Sequence, residues 1–266
     1  MISVTSAQLD AWIALFVFPL SRILGLMATA PIFNNVGTPV RARLMIGLAV
    51  SIALMPTLPP VPTVSAGSWL GFAIIAEQTL IGVLMGFALR LAFVTVDVAG
   101  ELIGLQMGLS FAVSYDPLHG GQTPVLTEFI GLITALIFLA MNGHLMILAG
   151  LSESFHLLPV SAEPPHAAGL ATLLRWSSVI FASGLLLALP LIAALLIANI
   201  ALGILSRVAP TLNLFAIGFP VTMGVGFLVL MVSLPYMGAA LEKLFYQGFQ
   251  AMHNVVMASG GIPLGR

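Results

Sequence analysis

Long apolar stretches separated by short polar or proline-rich breaks make up most of this chain. Six stretches are predicted to be helices, with approximate bounds 9–33, 44–55, 69–113, 125–151, 173–205 and 214–244, and a shorter amphipathic helix follows over about 245–259. A membrane-spanning helix needs about 20 mainly apolar residues. The pattern therefore predicts an all-α membrane protein with about six apolar helical segments.

Prolines and the distribution of basic residues add to this picture. The connector 56–62 is proline-rich and cannot be helical, and Pro19, Pro190, Pro220 and Pro235 lie inside three of the segments, where they predict kinks. If six spans alternate across a membrane, three basic residues fall on each side, so the positive-inside rule gives no orientation. Kinked helices without a charge bias suggest a chain whose position depends on partner subunits.

Composition supports a membrane protein and excludes several other classes. The 266 residues are 60% hydrophobic and 6% charged, with a mean hydropathy of +1.14. Soluble domains carry about 25% charged residues. A net charge of −1 gives no argument for nucleic-acid binding, and the absence of cysteine excludes disulfides and thiol catalysis. No cleaved signal peptide is expected, and residues 1–266 are predicted to form a single polytopic membrane domain.

The stretch 69–113 has an unusual pattern because it carries charges in a long apolar run. On a helical projection, one stripe collects Arg90, Asp97 and Glu101. The same stripe contains five glycines, Gly82, Gly86, Gly100, Gly104 and Gly108. A charge facing lipid at the bilayer centre costs about 2.5 to 3.5 kcal/mol on insertion scales. We therefore expect this stripe to face protein or water.

Two interpretations of the glycines remain open. Glycines at four-residue spacing let another backbone approach closely, either from a partner subunit or from a helix of the same chain. The charges favour a partner, because Asp97 and Glu101 form a like-charge i,i+4 pair that needs a cation or water nearby. Arg90 can balance only one of them.

The loop after this stretch, residues 110–124, combines turn residues with apolar ones. Asp116-Pro117 and Gly120-Gly121 are typical of turns. The apolar members are Phe111, Val113, Tyr115 and Leu118. Irregular backbone at membrane depth is tolerated only where it is buried in protein or lines a water-filled cavity. The pattern is consistent with a constriction loop in a pathway, or with an ordinary surface loop bearing an interfacial tyrosine.

Other side chains give weaker signals of chemistry. His144 lies in an apolar run and fits either a proton relay or a hydrogen-bonded structural histidine. The five histidines have no i,i+3 or i,i+4 spacing, so no metal site is indicated. The sequence contains no nucleophile elbow, intramembrane protease motif or P-loop. We expect no enzyme activity and no cofactor.

The chain resembles the FliR family of the bacterial flagellar type III export gate and, more distantly, its virulence-secretion counterpart. The likeness covers nearly the whole length. Its marks are Arg22, Ala30-Pro31, Pro39, Arg41, residues 99–110, Asp116-Pro117, Asn142-Gly143-His144, Ser154-Phe155, Leu158-Pro159, residues 188–190 and 199–203, Arg207, Pro210, Asn213 and residues 217–220. Thr211 departs from the glutamine expected after the proline.

This resemblance implies a subunit built of kinked helical hairpins that assembles with FliP- and FliQ-like subunits, and with FlhB- and FlhA-like components, in the bacterial inner membrane. The assembly would pass unfolded flagellar proteins out of the cytoplasm. The loop 106–122 would be the plug of the resting channel, with Phe111, Val113, Tyr115, Asp116, Pro117 and Leu118 as its sealing residues. Arg90, Asp97, Glu101 and Gln106 would face neighbouring subunits, and the five glycines would allow close packing.

An alternative function is a self-contained secondary transporter that uses Arg90, Asp97 and Glu101 to bind a solute or relay protons. Such transporters often contain inverted repeats, and none is evident in the sequence. A transporter would be purified alone or as a simple homo-oligomer, whereas a gate subunit would be purified with FliP- and FliQ-like partners.

Overall fold

The computed structural model describes residues 5–33, 39–109, 124–209 and 214–263. Within these ranges the regular structure is helical and contains no strand. The eight α-helices are α1 (Ser6–Thr29), α2 (Val40–Leu54), α3 (Trp69–Gln106), α4 (Val125–Ala140), α5 (Gly143–Leu157), α6 (Ala168–Trp176), α7 (Val179–Val208) and α8 (Leu214–Ser259). The prediction of an all-α fold is confirmed.

Several of these helices are suited to crossing a membrane. Five candidate spans are found among the described residues, formed by α1, α2, α3, α6 with α7, and α8, and a sixth results if the interrupted pair α4 and α5 counts as one span. The prediction of about six apolar segments is confirmed. Helix α3 has 38 residues, which makes it about 57 Å long at 1.5 Å per residue. It is therefore longer than a hydrocarbon core of about 30 Å requires.

Helix α1 begins at a capping box. The Thr5 amide donates to Gln8 Oε1 over 3.1 Å, and the Gln8 amide donates to Thr5 Oγ1 over 3.4 Å. These two bonds satisfy amide groups that have no acceptor inside the helix. Pro19 lies within α1 and does not end it.

Two of the predicted segments are each divided into two helices. The segment 125–151 is broken between α4 and α5, where Asn142 has a left-handed φ of 58°. The segment 173–205 is broken by a turn at Ser177-Ser178, and α6 begins earlier than expected, at Ala168. Left-handed backbone does not continue a right-handed helix. This explains why the first of these breaks occurs at Asn142.

The last two predicted helices form a single one. Helix α8 runs for 46 residues and contains both Pro220 and Pro235. A proline removes one backbone hydrogen bond and disfavours the preceding turn. Membrane helices nevertheless tolerate proline because neighbouring groups can satisfy the freed carbonyl. The helix also continues through residue 245, where the sequence becomes more amphipathic, so this change of pattern marks no helix end.

Residue contacts divide the chain into two compact units. Unit 1 comprises Met1–Leu91, Asn142–Ser177 and Phe245–Arg266, and unit 2 comprises Ala92–Met141 and Ser178–Leu244. In unit 1, Phe18 of α1, Met85 of α3 and Phe155 of α5 are fully buried. In unit 2, Phe93 and Phe138 pack edge to face with ring centroids 5.3 Å apart. The single polytopic domain remains a prediction, since grouping by contacts does not test independent folding.

Candidate functional site

The polar positions predicted on α3 are exposed on this chain. Arg90, in unit 1, is exposed, and so are Asp97, Glu101 and Gln106, in unit 2. They lie in a candidate span with a mean hydropathy of 2.0. Because a charged side chain facing lipid is costly, the exposed side chains of Arg90 and Glu101 favour a polar or charged environment.

The glycines of α3 in unit 1 lie where its backbone approaches α1 closely. A Cβ atom at Gly82 would overlap the Arg22 carbonyl oxygen and would lie 2.8 Å from the Leu26 amide nitrogen. A Cβ atom at Gly86 would lie 2.7 Å from the Leu26 carbonyl oxygen. The atoms in the way at Gly82 belong to the backbone, and those at Gly86 include the Thr29 hydroxyl oxygen as well as backbone atoms, so only glycine fits at these separations. These two close approaches are made inside the chain.

The glycines of α3 in unit 2 differ from one another. A Cβ atom at Gly100 would lie 2.9 Å from Thr127 Cα of α4. At Gly104 a Cβ atom would meet no heavy atom within 4 Å among the described residues. Gly108 has a φ of 78° just after the end of α3, a conformation that side-chain-bearing residues rarely adopt. Of these three glycines, Gly104 is the one with open space beside it in the described part of the chain.

The predicted plug loop can be placed only at its ends. Its sealing residues, Phe111, Val113, Tyr115, Asp116, Pro117 and Leu118, lie outside the described residues. On the N-terminal side, Met107 is fully buried in unit 2. Its side chain packs against Gly226 of α8 and leaves no room for a Cβ atom there. Its carbonyl oxygen also lies 3.5 Å from Thr222 Oγ1 of α8, whose hydroxyl is closer to the Phe219 carbonyl oxygen, at 3.1 Å. The start of the loop is therefore anchored on α8.

An apolar groove of about 570 Å³ lies at both described ends of this loop, within unit 2. It is formed by the end of α3, the start of α4 and the first half of α8. The lining residues are Leu109, Val125, Leu126, Phe129, Met223, Phe227, Leu230, Met231 and Leu234. No lining side chain carries a charge or a hydrogen-bonding N–H or O–H group, so the groove suits apolar material.

Arg22 of α1 is a fully buried polar side chain of unit 1 that donates several hydrogen bonds. Its Nε donates to Gln78 Oε1 of α3 over 2.8 Å. Its Nη1 donates to the Ser154 carbonyl oxygen and hydroxyl, over 2.9 and 3.2 Å, and its Nη2 donates to the Leu158 carbonyl oxygen over 2.8 Å. The Arg22 Cζ atom also lies 4.3 Å from the ring centroid of Phe155. We call these five residues the Arg22 node.

The Arg22 node explains how a guanidinium can be buried without a carboxylate among its described partners. Guanidinium groups only donate hydrogen bonds, and here every acceptor is a neutral oxygen. Two of the acceptors are carbonyls at the C-terminal end of α5, where the helix dipole is negative. The aromatic face of Phe155 adds a cation–π contact. The node therefore joins α1, α3 and α5 through one residue.

Sequence reasoning gave Arg22 no role beyond the family resemblance. The signal that could have found it is a single arginine in the middle of a 22-residue apolar span. Its partners could not be identified in this way, since they lie 56, 132 and 136 positions away in the chain.

The remaining candidates for chemistry are isolated. Among the described residues no group of three or more His, Cys, Asp or Glu side chains could hold a metal ion. The buried Nδ1 atom of His144 has no hydrogen-bond partner in the described part of the chain. This geometry supplies no neighbouring proton donor or acceptor for a relay at Nδ1.

Comparison with known proteins gives a match over almost the whole chain. Residues 13–248 match the family model of the bacterial export proteins, family 1. The flagellar biosynthetic protein FliR of Escherichia coli (strain K12) is 40% identical over 256 residues, which cover 96% of this chain and 98% of that protein. The FliR proteins of Pectobacterium carotovorum subsp. carotovorum and of Buchnera aphidicola subsp. Acyrthosiphon pisum are 40% and 34% identical, with the same shares covered.

Proposed function

The chain belongs to the bacterial export proteins, family 1, and is a subunit of the flagellar type III protein export apparatus, and from this premise we propose that it forms and plugs the mouth of the export channel in the bacterial inner membrane. Unfolded export substrates would pass through this channel. The function is that of a gate component, with no enzymatic activity and no cofactor of its own.

The observation that supports this proposal most is the exposure of Arg90, Glu101 and Gln106 on an apolar helix; Asp97 lies on the same stripe and was predicted to share its role. A chain that works alone in lipid would be destabilised by such a surface. Sister subunits with complementary charges would offset the cost of removing these groups from water. We therefore assign the four residues to contacts with FliP- and FliQ-like subunits, and expect FlhB- and FlhA-like components near the same assembly.

The loop 106–122 is the proposed plug. Its N-terminal end is anchored through Met107 in unit 2, and an apolar groove lies beside both of its described ends. A loop with fixed ends and several apolar side chains can change between two positions while its anchors stay in place. Phe111, Val113, Tyr115 and Leu118 would close the pathway to ions, and Asp116-Pro117 would form the turn.

The glycines take different roles within this proposal. Gly82, Gly86 and Gly100 hold helices of this chain at short distance. Gly104 has free space on its helix surface, so we propose that a neighbouring subunit approaches α3 there. Gly108 would let the chain turn from α3 into the plug.

Purification with the neighbouring subunits tests the proposal. The chain would be expressed with FliP- and FliQ-like proteins of the same organism, extracted in mild detergent and isolated through a tag on this chain. A stable complex containing all three is expected. Recovery of this chain alone, together with solute or proton transport after reconstitution, would overturn the proposal in favour of the secondary transporter, a function that the comparisons do not favour.

A further inference from the structure

A recess in unit 1 has no role in the proposed gate. It lies between α5 and the last part of α8, with Met85 of α3 in its floor, and has a volume of about 220 Å³. Its apolar wall includes Met146 of α5 and Phe249 and Met252 of α8. We call this site the methionine recess and define it by these four residues. Methionine side chains are flexible and adapt to differently shaped apolar groups.

The edge of the methionine recess carries a carboxylate. Glu153 Oε1 lies 3.7 Å from His253 Nδ1, and the two side chains are 56% and 39% exposed. Both residues line the recess. Among the described residues neither a lysine nor an arginine lines it, so an approaching group meets an apolar floor and an accessible negative charge.

The size of the recess restricts what it can hold. Pockets for small-molecule ligands usually measure about 300 to 1,000 Å³, and this recess is smaller. Its volume suits one large apolar side chain, which is how anchor residues of protein interfaces are bound. The occupant is therefore expected to be a side chain of a larger partner.

The charges decide which partner is favoured. A second, polar recess of about 80 Å³ in unit 1 is lined by Gln78 and Leu158 of the Arg22 node and by Glu77, Glu163 and His166, and among the described residues no lysine or arginine lines it. An anionic lipid headgroup would be repelled from such surroundings, whereas a basic segment would be attracted. We propose that the methionine recess docks a basic amphipathic helix of a partner protein. One large apolar side chain enters the recess, and a neighbouring lysine or arginine pairs with Glu153.

The Arg22 node holds the walls of this docking site. Ser154 lines the methionine recess, while Gln78 and Leu158 line the polar recess, and all three bind Arg22. The docking site is therefore formed by parts of the chain that Arg22 fixes together. It uses none of the residues assigned to the plug or to the polar positions of α3, so the docking proposal and the gate proposal can fail independently.

Binding of designed peptides tests the inference on the full chain in nanodiscs of zwitterionic lipid. The probe is an 18-residue alanine- and lysine-based helix with one phenylalanine and a fluorescent label. Two altered peptides are compared with it: in one, alanine replaces the phenylalanine, and in the other, glutamate replaces every lysine. Fluorescence anisotropy, corrected for empty nanodiscs, should show at least about tenfold weaker binding for both altered peptides. Equal binding of all three would overturn the proposal.

Two variants locate the binding. Gly150→Leu fills the recess. The fold should accept this substitution because the inserted Cβ atom meets mainly the flexible end of Met252. The variant should bind the phenylalanine peptide at least about tenfold more weakly. Glu153→Gln, which changes no packing, should weaken binding several-fold. Asp10→Asn removes an exposed carboxylate that lines neither recess and should leave binding unchanged. Unaltered binding to both Gly150→Leu and Glu153→Gln would contradict the assignment.

Discussion

At the scale of single residues, Arg22 determines how unit 1 is held together. A buried cation usually requires an anion nearby, yet the described partners of Arg22 are carbonyl, amide and hydroxyl oxygens and an aromatic ring. Such a site is stable only while every acceptor stays in place, because loss of one leaves a buried donor unsatisfied. This dependence makes Arg22 a sensitive point for substitution.

Arg22→Met should lower the free energy of unfolding by about 3 kcal/mol or more, because buried acceptors on α3 and α5 lose their donor. Arg22→Lys should be intermediate, since one ammonium group cannot reach acceptors on both helices at once. Unfolding of the purified chain by SDS titration in mixed micelles measures both effects. Arg41→Met is the matched control, because Arg41 is exposed at the start of α2. If Arg22→Met were as stable as this control, the node would not be holding the helices together.

The glycines of α3 provide a second pair of matched substitutions. Gly82→Ala should destabilise the chain by about 1 to 3 kcal/mol, because the new methyl group would overlap the Arg22 carbonyl oxygen on a neighbouring backbone. Gly104→Ala should be neutral or stabilise by up to about 1 kcal/mol, since its Cβ atom meets nothing within 4 Å among the described residues and alanine favours helix. The same titration compares the two variants. If the two substitutions changed the free energy of unfolding by similar amounts, α1 and α3 would be less closely packed at Gly82 than the overlap with the Arg22 carbonyl oxygen indicates.

At the scale of elements, the break between α4 and α5 depends on one backbone conformation. Asn142 adopts φ 58°, which costs most residues about 1 to 2 kcal/mol but is easy for glycine. Asn142→Gly should therefore preserve or slightly raise stability, and Asn142→Ala should lower it by about 1 kcal/mol. Thermal unfolding of the two variants in detergent measures the difference. A more stable Asn142→Ala protein would mean that α4 and α5 prefer to form one continuous helix.

The loop between α3 and α4 gives the prediction that concerns the plug. Replacing residues 111–121 by a glycine- and serine-based linker removes its apolar side chains and should raise ion leakage through closed channels, because a hydrated linker cannot seal the pathway. Conductance of the reconstituted complex, without substrate, measures this leakage. A linker of the same composition and of matching length, placed over residues 58–64 between α2 and α3, is the control and should leave leakage unchanged. An identical low leak in both proteins would exclude the plug role.

The elements show how far the sequence predicts this fold. The start of α3 could be predicted, because its long apolar run begins after a proline-rich connector. Its end was placed too late, at about residue 113, because the apolar pattern continues past Gln106, whereas the helix ends there and Gly108 has a φ of 78°. The break at Asn142 was missed because apolar periodicity continues on both sides of it. The opposite error occurred in α8, where the more amphipathic pattern after residue 244 suggested a separate helix, whereas the structure has one continuous helix. The Arg22 node could not be predicted, since it depends on contacts between residues more than 50 positions apart.

At the scale of the whole molecule, the chain combines well-packed and unpacked membrane helices. The apolar windows of α1 and α3 are 44% and 56% buried inside the chain, whereas those of α6 with α7 and of α8 are each 17% buried. The apolar helix faces that remain exposed can contact lipid acyl chains without a free-energy penalty. Exposed charges on α3, such as Glu101, would be costly against lipid, and this difference underlies the proposal that α3 meets partner subunits.

Assembly with the neighbouring subunits should therefore depend on α3 positions that leave the isolated chain unaffected. Gly104→Leu adds bulk where the described part of this chain has free space, and Glu101→Leu removes an exposed charge, so both variants should unfold like the unmodified protein. Each should reduce the amount of FliP- and FliQ-like subunits recovered with the tagged chain several-fold, because close packing or charge pairing across the interface is lost. Ile204→Ala, at an exposed apolar position of α7, serves as the control. Full recovery of the complex with both α3 variants would show that this side of α3 faces lipid or water, and the subunit contacts would then have to be sought on other helices.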